Sequence, residues 1–168
     1  MTPNEPPTLL VIYHSMTDGT RQMVQACTNA AGFEPGVRVS MKLAADVGVQ
    51  DVLNANGYVF ATPEYLGSMS GIMKDFFDRT YYHVIDKVQG RPYAIMICAG
   101  SDGQGAARQI ERIVNGWRLK AIAAPVIINV AAQTSEKILA RKRLPEEGLK
   151  PCSELGQLFA AGISVGLF

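Results

Sequence analysis

Three short segments hold residues whose types and spacing suit chemistry. His14-Ser-Met-Thr-Asp-Gly-Thr20 sets the hydroxyls of Ser15, Thr17 and Thr20 around Met16 and Gly19, just before a helical apolar stripe. Hydroxyl donors, a glycine that admits close backbone approach, and the first free N–H groups of a helix together suit an anion. A dianionic phosphate monoester is the natural occupant. The same residue types also make an ordinary N-cap turn. Thr62-Pro-Glu-Tyr-Leu-Gly-Ser-Met-Ser-Gly71 mixes rigid Pro63 with Gly67 and Gly71, and sets Tyr65, Leu66 and Met69 beside free backbone amides. Such a surface suits a flat heteroaromatic ring, its edge meeting amides and its face meeting side chains. Ala99-Gly-Ser-Asp-Gly-Gln-Gly105 carries glycines at 100, 103 and 105. These let the main chain run against a planar ligand, or simply turn.

The elements around these segments decide whether they meet. Thr8–Tyr13 (TLLVIY), Gly57–Ala61 (GYVFA), Pro92–Ala99 (PYAIMICA) and Pro125–Val130 (PVIINV) are short apolar runs that read as buried strands. Val37–Leu43 alternates Val37, Val39, Met41 and Leu43, a pattern suited to an edge strand. The third strand is expected to stop at Thr62-Pro63, because proline has no N–H to donate. Helical stripes fall at 21–31, with Met23 and Cys27, and at 70–81, with Ile72, Met73, Phe76 and Phe77. Another spans 106–117, with Ala106, Ile110, Ile113, Val114 and Trp117, and a short helix is expected over 49–54. In the tail, Pro145 and Pro151 are expected to bracket one turn at most, with Ser153 capping a last helix to about Ile163. Strands alternating with helices imply a parallel α/β sheet covered on both faces. In such a sheet ligands bind at the carboxyl ends of the strands, where the strand order reverses. The three segments follow strands one, three and four, so they should converge there.

A phosphate cradle, a ring-flanking loop and a close-approaching backbone match flavin mononucleotide. Thr62–Arg79, TPEYLGSMSGIMKDFFDR, resembles NAD(P)H-dependent FMN reductases in its Thr-Pro-Glu-Tyr. Its Gly-Ser-Met-Ser-Gly followed by Phe-Phe-Asp-Arg resembles both those enzymes and the flavodoxin-like quinone oxidoreductases. The resemblance runs over about residues 8–130. It implies a flavodoxin-like three-layer sandwich with a five-stranded parallel sheet in the order 2-1-3-4-5. It implies that Ser15, Met16, Thr17, Gly19 and Thr20 hold the FMN phosphate. Pro63, Glu64, Tyr65, Leu66, Gly67 and Ser68 would line one edge of the isoalloxazine, and Gly100, Ser101, Asp102 and Gly103 the other. NAD(P)H would be the co-substrate and a quinone or a flavin the acceptor, with a homodimer or homotetramer as the assembly. Asp78 and Arg79 would make ion pairs or a subunit contact. Two departures stand out: Asp18 occupies a place where flavodoxins carry glycine, and Leu66 one where FMN reductases usually carry an amide.

Sixteen Lys and Arg against fifteen Asp and Glu give a net charge of +1. That balance argues against nucleic acid as a partner. It also argues against a flavodoxin-type one-electron carrier, whose acidity would steer it to basic partners. The carrier and a non-catalytic flavin-binding module stay open as alternatives to the oxidoreductase. Lys137 and Arg141–Arg143 read as a solvated helix end, and His14 as a turn residue making local hydrogen bonds. Cys27, Cys98 and Cys152 form no metal or disulfide pattern and read as core thiols. With no signal-peptide pattern and no run of about 20 apolar residues, the expectation is a cytoplasmic protein with no membrane partner. The whole chain, 1–168, is expected to form a single domain with residues 1–7 disordered.

Overall fold

The computed structural model describes residues 5–168, so the expectation for the first residues lies outside it up to position 4. Pro7 is already tied down, its carbonyl accepting from the Arg38 N–H at 2.8 Å. The strands are β1 (Thr8–Tyr13), β2 (Arg38–Leu43), β3 (Gly57–Tyr65), β4 (Ser68–Met69), β5 (Pro92–Ala99), β6 (Lys120–Ala121) and β7 (Val126–Asn129). The helices are α1 (Gly19–Ala31), α2 (Val49–Asn54), α3 (Gly71–Val84), α4 (Gln104–Gly116), α5 (Ser135–Leu139) and α6 (Glu146–Ser164).

The parallel sheet runs β2-β1-β3-β5, with β6 and β7 both on the far side of β5. This is the expected 2-1-3-4-5 order, but with seven strands in place of five. The far edge is divided into β6 and β7 because the chain steps from Ala121 to Val126 while β5 steps only from Tyr93 to Met96, so extra residues interrupt the pairing. The remaining addition is β4, which folds back antiparallel on the end of β3.

Period-2 alternation sends successive side chains to opposite faces, and both faces are covered. Leu10, Ile12, Tyr58, Phe60 and Ile95 pack with α2, α3 and α4. Leu9, Val11, Val59 and Met96 pack with α1 and α6. All three thiols are free and buried. Buried carbonyls at chain turns are met by two arginines. Arg91 Nη1 donates to Val52, Leu53 and Ala55 carbonyls, and Arg79 to those of Ala44 and Val47. Arg79 also pairs with Asp75, and Asp78 with Lys74.

Three local expectations are corrected. The third strand does not stop at Ala61 but runs through Pro63 to Tyr65. The Ala61 carbonyl faces β1, accepting from His14 N–H at 3.1 Å. By alternation residue 63 faces that side too, and β1 has ended at Tyr13, so the missing N–H costs no ladder bond. The last helix spans Pro151 without a break. Glu147 and Pro151 are exposed, so the carbonyl that loses its partner meets water, while Cys152, Leu155 and Phe159 hold the helix to the core. Finally, Ile72 is exposed; the inward face of α3 is set by Met73, Phe76, Phe77 and Thr80.

The α1–α6 contact is close enough to need a glycine. A Cβ on Gly156 would lie 2.1 Å from the Cys27 carbonyl oxygen. Backbone on both sides leaves no soft atom to yield. Gly156→Ala should therefore destabilise the protein by about 1–3 kcal/mol, the usual range for overpacking, read as a lowered midpoint in chemical denaturation.

Candidate functional site

The segments after β1, β3 and β5 converge at the carboxyl ends of the strands around a cavity of about 580 Å³. Ser15, Met16, Thr17, Gly19 and Thr20 line one end. Pro63, Glu64, Tyr65, Leu66 and Gly67 line another, and Gly100 and Ser101 a third. Among the described residues no group of three or more metal-ligating side chains occurs.

The α1 end suits an anion. Asp18 precedes the helix in the left-handed conformation (φ 72°), and its side chain caps no helix N–H. A left-handed residue followed by helical ones turns successive N–H groups toward one side, an anion-binding concavity. Gln22 N–H returns to the Asp18 carbonyl (3.2 Å), and Arg21 N–H to Ser15 Oγ (3.2 Å). The Gly19 and Thr20 amides have no such partner among the described residues. Ser15, having accepted an amide, keeps its O–H to donate. Thr20 is 1% exposed, and its hydroxyl oxygen has no hydrogen-bond partner. A buried hydroxyl left unpaired costs free energy, so its place on the cavity wall fits a bound acceptor.

Asp18 does not oppose that anion as an isolated charge. Its carboxylate is held by Arg21 and by Nε and Nη2 of Arg141 (2.9 and 2.7 Å). The hydrogen bond from Arg21 leads the causes that hold its pKa below the usual aspartate value. Arg141 belongs to a strap that is tied onto the loop. Lys142 N–H donates to the Thr17 carbonyl at 2.7 Å. Gln22 bridges to the Lys142 carbonyl and the Leu144 N–H. The Lys142 stem packs over Gly19, while its ammonium caps the carbonyls of Lys137, Ile138 and Ala140.

The opposite wall of the cavity is built by a tight hairpin. Leu66 (φ 51°) and Gly67 (φ 73°) form the two-residue turn from β3 to β4, and both have positive φ as a type I′ turn requires. Leu66 is fully exposed at the tip. Glu64 acts differently from the sequence expectation. Its two carboxylate oxygens accept from Gly103 N–H (2.8 Å) and Ala106 N–H (3.0 Å), at the positive end of α4. It reaches the cavity wall with both oxygens committed to joining two loops. Gly105 completes the joint, since a Cβ there would lie 2.1 Å from the Gly67 carbonyl oxygen.

Three expected site residues are not brought to the cavity. Ser68 turns away to Gln109 (2.7 Å). Gly103 is buried as the left-handed N-cap of α4, and Asp102 beside it is exposed. Conversely, Cys98, Val130, Ala132, Ile138 and Lys142 line the cavity without having been expected there. Burial pushes the Cys98 thiol up to about 11, so it presents a neutral apolar floor at physiological pH. Arg141 and Lys142 do lie at the exposed end of α5, and beyond that expectation they tie it to the β1–α1 loop. The His14 side chain does not make turn hydrogen bonds. Its Nδ1 is buried without a partner, burial lowers its pKa, and its ring meets Tyr65 edge-on at 6.1 Å.

Comparisons with known proteins bear on these loops. The NADPH-dependent FMN reductase family matches residues 11–134. A flavodoxin of Aquifex aeolicus is 29% identical over 97 residues, covering 58% of this chain and 52% of its own. An NAD(P)H dehydrogenase (quinone) of Acidithiobacillus ferrooxidans is 28% identical over 92 residues, covering 43% and 46%. The chain thus spans about half the length of these curated relatives. Among solved structures, a flavodoxin from the domain Archaea superposes with a TM-score of 0.75 over 93% of this chain and 98% of its own, at 18% identity.

The unpaired hydroxyl gives a test that separates stability from binding. Thr20→Val keeps the shape and removes the stranded oxygen. The unliganded protein should melt at the same or a higher temperature. Its affinity for a phosphate monoester should fall by about tenfold or more, the loss of a hydrogen bond to a charged group.

Proposed function

The chain belongs to the NADPH-dependent FMN reductase family, and on that premise we propose that it binds FMN in the strand-end cavity and oxidises NADPH through it. The observation that carries this reading is the pairing of chemistries in one cavity. Uncommitted α1 amides and the Thr20 hydroxyl stand at one end, and Tyr65, the Leu66–Gly67 turn and the Gly100–Ser101 backbone at the other. Ser15, Thr17, Gly19 and Thr20 would hold the phosphate. Pro63, Tyr65, Leu66, Gly67, Gly100 and Ser101 would flank the ring system, over the apolar floor of Cys98 and Ala132. Bound there, FMN supplies a centre that takes hydride from NADPH and passes electrons to a quinone or a second flavin.

The protein's own part is binding and orientation. The α1 amides neutralise the phosphate without a cation that would compete for water. Arg21 and Arg141 keep the Asp18 charge paired. Glu64 holds the ring-flanking hairpin against α4, so the two walls cannot drift apart. No proton-transferring side chain is needed. His14, whose pKa burial lowers, meets the Tyr65 ring edge-on.

An electron carrier is the second reading, favoured by the match to the Aquifex flavodoxin. The near-neutral charge supports the reductase instead. The proposal extends to a single domain acting in the cytoplasm, in keeping with three free buried thiols. It also includes a homodimer or homotetramer, supported by exposed Ile72, Tyr81, Tyr82 and Ile85 along and beyond α3. No described helix is long and apolar enough to cross a membrane.

Titrating FMN into the protein should quench flavin fluorescence at one equivalent. The loaded protein should then oxidise NADPH with benzoquinone as acceptor, well above free FMN. Saturable FMN binding with no turnover above free FMN would move the reading to the carrier, and no quenching would remove both.

A further inference from the structure

A second cleft, of about 470 Å³, lies on the other side of the β1–α1 loop. It is lined by Tyr13, Asp18, Arg21, Leu43, Leu139 and Arg141, and shares Ser15, Met16 and Thr17 with the larger cavity. Asp18 is only 14% exposed, yet its one carboxylate holds two guanidiniums, Arg21 at 55% and Arg141 at 70% exposure. One arginine would suffice to neutralise it, so the trio carries a net positive charge. Arg21 engages Asp18 through Nε, and Arg141 through Nε and Nη2. Among the described residues, both terminal nitrogens of Arg21 and Nη1 of Arg141 therefore keep donors free. The ion pairs fix the direction of each fork, and a planar fork with free donors is suited to phosphate.

Beside these donors stand exposed apolar side chains, Met16, Leu43 and Leu139. Apolar walls next to a rim of net positive charge match a phosphorylated nucleoside better than a bare anion, which would gain nothing from the walls. The position narrows the choice further. A dinucleotide with one end at the ring cavity and the other in this cleft need cross only the three shared residues.

We propose that this cleft is the subsite for the phosphorylated ribose of the dinucleotide donor, the 2′-phosphate that distinguishes NADPH from NADH, with Arg21 and Arg141 as its specificity-determining residues. The assignment rests on the reading of the protein as an NADPH oxidase of the reductase type. The FMN phosphate and the donor's phosphate then lie on opposite sides of one loop. Helix amides meet the first, and the two guanidiniums meet the second.

The test uses FMN-saturated protein, with adenosine 2′,5′-bisphosphate and 5′-AMP as calorimetric probes. FMN is added to saturation for each variant, and flavin absorbance of the protein fraction verifies that the loading is equal before any comparison. The wild type should bind the bisphosphate about tenfold or more tightly than 5′-AMP, the worth of one charge-assisted hydrogen bond. Arg21→Gln and Arg141→Gln should each shrink that gap, whereas Arg141→Lys should retain part of it. In steady state, the NADPH-to-NADH ratio of kcat/KM should fall in the glutamine variants by a similar factor. Equal binding of the two probes to the wild type would overturn the proposal, as would a gap that survives both glutamine variants. A loss of kcat/KM shared equally by the two dinucleotides, or displacement of the bisphosphate by inorganic phosphate at matching concentration, would also overturn it. If the wild type oxidised neither dinucleotide, the reductase reading would fail while the calorimetry still decided the subsite.

Discussion

A dianion bound beside apolar side chains is best met by donors already in place, because a charge moved from water without compensating hydrogen bonds is costly. In the proposed site those donors would be main-chain amides, and their arrangement depends on one residue. Asp18 in the left-handed conformation turns the chain into α1 and leaves the Gly19 and Thr20 N–H groups without partners among the described residues. A non-glycine residue at positive φ carries some strain, and its carboxylate would repel the ligand if it stood alone. Both costs are offset by the same pair of arginines, which hold the side chain of Asp18 and so hold its backbone.

That arrangement makes the site depend on chain far from the loop. Arg141 and Lys142 lie more than a hundred residues from Asp18 and Thr17, yet one supplies an ion pair and the other a backbone hydrogen bond to the loop. Gln22 ties the strap down on both sides of its amide. At the ring end the same logic recurs, with Glu64 clamping a hairpin to the start of α4 and Gly105 admitting the Gly67 carbonyl. Each wall of the cavity is thus fixed by a polar bridge to a different element, while the sheet beneath sets the spacing.

The sequence makes the sheet legible because its strands are buried on both faces, and TLLVIY, GYVFA and PYAIMICA can hardly be anything else. That the sheet is parallel and covered on both faces follows from alternation with helices, whereas the strand order rests on the family resemblance. What local reading misses are effects that need the third dimension. Pro63 sits within β3 because β1 has already ended beside it. Pro151 sits within α6 because its bare carbonyl partner faces solvent. Ser68, Asp102 and Gly103 are near the site in sequence, yet one turns to Gln109, one to solvent and one into a helix cap. Cys98 reads as a core thiol and is one, and burial on the sheet also makes it the floor of the cavity. For Arg141 no local signal exists, because Asp18 already has a nearby partner in Arg21 and the second guanidinium arrives from 123 residues away.

The most direct test of the account compares FMN with riboflavin, which carries the same ring and no phosphate. If the α1 amides and the Thr20 hydroxyl carry the binding, fluorescence titration should show FMN held about a hundredfold or more tightly, since several hydrogen bonds to a charged group are lost together. Equal affinity for the two flavins would contradict it, and would place the binding energy in the ring contacts alone.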